Sequence, residues 1–287
     1  MIPKVDTHQH LWDLDILRLP WLSGAGVAAI NRSFVMEDYL EATAEANVVR
    51  SVYMEVNTDP ALHAVEARYA IDLCRDEDNP MSGAVVGGAP GSSGFRAYLD
   101  RLADEPEVKG VRTVLHDADR PKGMCLAPTF VESIRLLGEL GLSFDLCMRP
   151  DEIGDGAELA GACPGTMFMV DHCGNMPVVG GTAAAREAWQ GGMQRAADLE
   201  NVYCKISGIV ITAGANWRGE DLAENMDFCM ETFGEDRIVF GGDWPVCLLG
   251  ASYVQWAEAL EEITSRRSET FRRKLFHDNA VTFYRLS

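Results

Sequence analysis

Eight short runs rich in β-branched and aromatic residues recur along the chain, at 4–10, 50–57, 82–88, 108–116, 142–149, 166–172, 202–208 and 237–243. Each gap but the last supplies one helix-like stretch. This alternation is the pattern of repeated βα units, in which consecutive strands pair in parallel because each crossover needs a helix. Asp59-Pro60 places an N-cap before a proline at the first helical position and opens a helix over residues 59–75. Pro128 repeats the device, and Gly141 ends that helix as a C-terminal glycine. Residues 183–199 and 220–233 carry Ala, Trp, Met and Leu at helical spacing with charges between them.

The 287 residues slightly exceed the ~250 typical of one eightfold α/β barrel. No repeat of 20–50 residues, low-complexity tract or charged linker divides the chain. The expectation is therefore a single domain over 1–287, with the irregular stretch 11–34 lying over the barrel mouth, where loops after strand C-terminal ends build sites.

With 25 Lys and Arg against 44 Asp and Glu, the net charge of −19 disfavours nucleic acid and anionic membranes as partners. It leaves room for a local cationic pocket, so the expected partner is a small molecule; a homo-oligomer is compatible with the sequence. The eight cysteines include no C-x-x-C pair and mostly sit in apolar runs. They read as reduced packing residues of a cytoplasmic protein. Neither a signal segment nor an apolar run of ~18 residues is present, and the chain is expected to be neither exported nor membrane-spanning.

The first run contains Val5-Asp6-Thr7-His8-Gln9-His10, and the last leads into Gly241-Gly242-Asp243-Trp244-Pro245. Residues two apart on a strand point to one side, so His8 and His10 would present both imidazoles to one point, where Asp243 joins them across the seam of a closed barrel. That layout suits the activation of water. By the same parity Asp6 would share the face of His8 and His10, and Tyr53 that of Glu55 and Asn57. Arg112 would share a face with His116, Asp145 with Cys147 and Arg149, and Lys205 with Ser207. Burying unpaired charge in a packed barrel is costly, and this many ionisable groups near strand ends point to a polar mouth. One bulge reverses a face. His8 and His10 also read as satisfied core histidines, Asp243 as the N-cap of a following helix, and Arg112 and His116 as structural ions paired with Asp145 or Glu55. His172 ends the sixth run before a glycine turn and joins the candidates.

The segment Val5 to Asp13, with Leu19-Pro20-Trp21-Leu22 after it, resembles the start of the metal-dependent hydrolase (amidohydrolase) superfamily, in its branch of sugar-acid, muconate and pyrone-dicarboxylate lactonases. Gly110-Val111-Arg112, Asp171-His172-Cys173-Gly174, Lys205-Ile206-Ser207-Gly208, Gly242-Asp243-Trp244-Pro245 and Asn279-Ala280-Val281-Thr282-Phe283-Tyr284 are similar to that branch in order and spacing. The resemblance implies a (β/α)8 TIM barrel and the hydrolysis of a cyclic ester. Binuclear members of the superfamily carry Lys or Glu at the end of strand four and His at the ends of strands five and six, whereas these ends here read Leu115-His116, Met148-Arg149 and His172. At most one ion is therefore expected, Zn²⁺ or Mn²⁺, held by His8, His10 and Asp243 with Glu55 as a fourth ligand; the branch also includes members that work without metal.

On this reading Asp243 is the general base, and the carbonyl is polarised by the ion or by His172 and Arg112. His116, Arg149 and Lys205 would hold hydroxyls or a carboxylate of the substrate. Trp12, Trp21, Trp217 and Trp244 would supply flat walls for its ring. A metal-dependent decarboxylase and a catalytically silent binding barrel are the alternatives.

Overall fold

The computed structural model describes residues 2–286. Eight strands, β1 (Lys4–Gln9), β2 (Val48–Met54), β3 (Met81–Gly87), β4 (Val108–Val114), β5 (Ser143–Cys147), β6 (Phe168–Val170), β7 (Val202–Ile206) and β8 (Ile238–Phe240), pair in sequence order, each pairing parallel. Between and after them lie α1 (Met36–Thr43), α2 (His63–Cys74), α3 (Phe95–Asp100), α4 (Pro128–Glu139), α5 (Ile153–Ala162), α6 (Ala183–Ala197), α7 (Gly219–Phe233) and α8 (Tyr253–Ile263). Past the end of β8 the chain crosses back to β1: the Asp243 N–H donates to the His8 carbonyl at 2.8 Å and the His10 N–H to Trp244 O at 2.8 Å, while Thr7 Oγ1 donates to Phe240 O at 2.6 Å. The result is a nearly closed (β/α)8 TIM barrel, as the alternation of runs predicts.

The helix signals act as local chemistry requires. Asp59 accepts the Ala61 N–H at 3.0 Å ahead of α2, Pro128 opens α4, and Thr182 accepts from the Ala185 N–H at 3.1 Å to cap α6. Inside the barrel Val5, Val52, Met54, Val85, Met169 and Val239 form an apolar layer that packs with Phe283 and Tyr284 of the terminal helix Asn279–Tyr284. Above that layer the interior becomes polar. All eight cysteines are free thiols, and no helix among the described residues is long and apolar enough to cross a membrane.

Two strand faces differ from regular parity. The pairing register of β1 shifts between Asp6 and Gln9. Asp6 consequently points outward, accepting from Tyr39 Oη at 2.9 Å, Tyr253 Oη at 3.0 Å and the N–H groups of Gly242 and His8 at 2.7 and 2.9 Å. His8 turns inward. A Cβ on Gly242 would stand 2.5 Å from Asp6 Oδ2 and against the Tyr253 ring, so only glycine lets the chain pass this carboxylate. On β2 the Tyr53 hydroxyl reaches out to Glu66 of α2 at 3.3 Å, whereas Glu55 reaches in to Arg112.

Glu66 gives a first prediction. It is fully buried; Oε1 accepts the Val56 N–H at 2.7 Å, and Oε2 has no partner. Burial, then the charge of Glu55, pushes its carboxyl up to about 8, against the weaker pull of the Val56 N–H, Tyr53 and Arg112. His63 on its own helix and Tyr98 of α3 are the other titratable groups beside it. A carboxyl raised on folding contributes stability below its unfolded value and loses it as pH rises through the folded value. The melting temperature of Glu66→Gln relative to wild type is expected to climb between pH 5 and pH 9. A flat difference across that range contradicts the assignment.

Candidate active site

A cavity of about 290 Å³ opens at the C-terminal ends of the strands, lined among others by His10, Trp21, Arg112, His116, His172 and Asp243. His10 Nδ1 donates to the Met54 carbonyl at 2.9 Å, which leaves Nε2 facing Asp243 Oδ1 at 3.5 Å. His8 Nε2 stands 3.7 Å from the same oxygen. One ligating atom from each of His8, His10 and Asp243 falls within a mutual 4.8 Å. Burial, helped by Lys205 and His172, holds His8 well below the ordinary imidazole value, so the ring is neutral. Two imidazole nitrogens and a carboxylate are a donor set that fits one divalent ion.

A second grouping of His8, Asp171 and His172 is not an independent site. It reuses His8, and both Asp171 oxygens are engaged, Oδ1 with Lys205 Nζ at 2.9 Å and Oδ2 with Arg112 Nη1 at 3.2 Å. The end of β5 contributes Cys147 and Met148, both buried.

Strained backbone marks the same place. Asn57, His172, Asn175 and Asp243 have φ of 51°, 53°, 57° and 55°, and all four line the cavity. Left-handed non-glycine residues cost of order ~1–3 kcal/mol each and persist where the surroundings hold them. Asp243 is held by its N–H bond to β1; its side chain is 3 % exposed. His172 is held through Nδ1, 2.9 Å from Ser207 Oγ, with its ring centroid 4.3 Å from that of His8. A methyl at Gly208, whose φ is 69°, would strike the His172 ring, so the glycine after Ser207 is what admits it.

Arg112 ties the site together. Its Nε donates to Glu55 Oε1 at 2.6 Å, Nη2 to the Glu55 carbonyl at 2.7 Å, and Nη1 lies 3.2 Å from His8 Nε2. Glu55 Oε2 accepts the Asn57 N–H at 2.6 Å. Both carboxylate oxygens of Glu55 are thereby committed, and it stands as the counter-ion of Arg112 rather than as a fourth metal ligand.

Other expectations need correcting. Lys205 is wholly buried, paired with Asp145 and Asp171, and does not line the cavity. Arg149 pairs with Glu152 and donates to the carbonyls of Asp117 and Arg120 at 2.9 and 3.0 Å, fastening the loop after β4. Trp12 is buried behind the mouth with Nε1 on the Arg32 carbonyl, Trp244 packs against Phe34 and Tyr39, and Trp217 bonds to the Gly250 carbonyl outside the cavity. Of the four tryptophans Trp21 alone forms cavity wall, its Nε1 donating to Val56 O at 2.8 Å. His116 sits at the rim. Asn57, Asp117 and Asn175 also line the cavity; for the two asparagines the signal in the sequence is their place at strand ends, where the left-handed region is open to them.

Several known proteins are similar to this chain in sequence or in structure. The uncharacterized protein y4mH of Sinorhizobium fredii is 30 % identical over 304 residues, covering 99 % of each chain. An L-fucono-1,5-lactonase of Burkholderia multivorans is 26 % identical over 99 % of this chain and 96 % of its own. An amidohydrolase from Burkholderia multivorans, 23 % identical, superposes with TM-scores of 0.89 in a form with HEPES bound and 0.87 in a form with zinc bound, each covering 99 % of this chain and 100 % of that one. The Amidohydrolase family profile matches residues 5–286, a span that holds every residue of the cavity wall, and the chain belongs to that family.

Proposed function

We propose that this protein hydrolyses a small, oxygen-rich lactone, with Asp243 as the general base. The observation that carries the reading is the convergence of Asp243 with His8, His10 and His172 at the barrel mouth. Asp243 takes a proton from water as the water oxygen attacks the ring carbonyl. It then returns the proton to the ring oxygen as the carbon–oxygen bond breaks, giving a hydroxy acid. His172 and Arg112 face the same cavity as hydrogen-bond donors toward the developing oxyanion. Arg112 can hold its charge there because Glu55 and Asp171 keep it protonated far above the working range in spite of burial. Trp21 offers the substrate ring a flat wall. An ion held by His8, His10 and Asp243 would polarise the carbonyl as a Lewis acid. The relatives named L-fucono-1,5-lactonase support a sugar-acid lactone as the substrate class.

The test is a proton-release screen against sugar-acid and muconate lactones, with and without chelator. One proton per turnover and no CO₂ is expected; CO₂ release identifies a decarboxylase instead. Elemental analysis after gentle purification is expected to find no more than one divalent ion per chain, Zn²⁺ or Mn²⁺. Two tightly held ions contradict the single donor set. Full activity with none moves the polarising role to His172 and Arg112.

A further inference from the structure

Beside the catalytic cavity a second chamber of about 350 Å³ lies between the loops that follow β2, β3 and β4. Asn57, Arg112 and Val114 line both, so the two spaces adjoin at Arg112. Each space is near the lower end of the ~300–1,000 Å³ range of small-molecule sites. Together they hold a ring with a substituent.

The chamber wall includes Arg120. Arg120 Nε is buried without a hydrogen-bond partner, and among the described residues no carboxylate pairs with the guanidinium. The neighbouring cations are all taken: Arg112 by Glu55 and Asp171, Arg149 by Glu152, Lys205 by Asp145 and Asp171, and Lys122 by Asp151. In a protein with net charge −19, an unpaired, partly buried guanidinium on a cavity wall favours an anion. Its planar fork of donors matches a carboxylate. Ser92 and Thr129 add hydroxyls to the same wall, and His63 stands there too, held below its ordinary value by burial and by the charge of Arg120. Glu55, the acid in this wall, is neutralised by Arg112 and the Asn57 N–H and does not oppose an anion.

We propose that this chamber is a substrate subsite for a carboxylate carried on the lactone, and that Arg120 is the residue that binds it. The inference rests on the lactonase reading of the adjoining cavity and narrows it to carboxylated lactones, whose ring opening yields a dicarboxylate.

Calorimetric titration with galactarate, a sugar dicarboxylate, and galactonate, its monocarboxylate counterpart, tests the subsite without requiring turnover. Wild type is expected to bind galactarate about ten- to a hundredfold more tightly, the range of a charge-assisted hydrogen bond. Arg120→Met is expected to erase that preference and Arg120→Lys to recover part of it. Equal affinity for the two acids in wild type, no binding of galactarate, or a preference that survives Arg120→Met overturns the proposal. If the preference depends on Arg120 while no lactone is opened, the subsite stands and the hydrolase reading falls.

Discussion

Asp243→Asn is expected to reduce lactone hydrolysis by ~10²–10⁴-fold, the usual contribution of a positioned general base, while leaving the fold in place. Asparagine keeps the size of aspartate but cannot accept the proton of the attacking water. The backbone reason for choosing it is equally direct. Asp243 has a φ of 55°, and its N–H bonds the His8 carbonyl across the seam between the last strand and the first. Asparagine is among the residues most tolerant of the left-handed region, so the variant keeps that main-chain bond without added strain, which alanine would not. The measurement is kcat on a confirmed substrate, with melting temperature and metal content determined on the same preparation. Retained melting temperature and metal with lost kcat isolates the base. Wild-type turnover places the base elsewhere.

The sequence made the barrel legible because its signals are local and repeated. Pro128 and Asp59-Pro60 open helices where their own geometry requires it, and β-rich runs mark all eight strands. The convergence of His8, His10 and Asp243 was legible for a related reason: a closed parallel barrel brings its first and last strands together. The side-chain partners were not. Asp6 and His8 have one parity yet lie on opposite faces because the register shifts between them, and no pattern in six residues announces such a shift. Trp12 and Trp244 look like pocket walls in a loop and a strand end, but tertiary packing puts them behind the mouth. Arg149 and Glu152 are an i, i+3 pair that the sequence displays openly; local pairing took the guanidinium before a substrate could. Arg120 has Asp117 at the same spacing, but that carboxylate accepts from Asn57 Nδ2 at 2.9 Å and forms no ion pair with it.

Lys205→Met is expected to destabilise the folded protein by ~3–5 kcal/mol, the cost of breaking a buried ion pair from one side. The ammonium is fully buried and donates to Asp145 at 2.8 Å and Asp171 at 2.9 Å. Methionine fills similar space but leaves both acids without it. Arg112 still reaches Asp171, but it is shared with Glu55, so the charge left uncompensated is chiefly that of Asp145. Burial already pushes the Asp145 carboxyl up to about 7 against the pull of Lys205 and Arg112, with Asp171 pushing the same way as burial and Tyr284 beside it. Removing Lys205 raises it further. A carboxyl raised on folding loses its stabilising contribution as pH rises, so the penalty is expected to be larger at pH 8 than at pH 5, where Asp145 takes up a proton. Denaturant unfolding of the variant at both pH values measures this. Adding Asp145→Asn to Lys205→Met is expected to recover part of the loss, since the second change removes the orphaned charge. If Lys205→Met instead unfolds at the wild-type midpoint and raises KM, the lysine holds substrate after all and the buried ion-pair account is wrong.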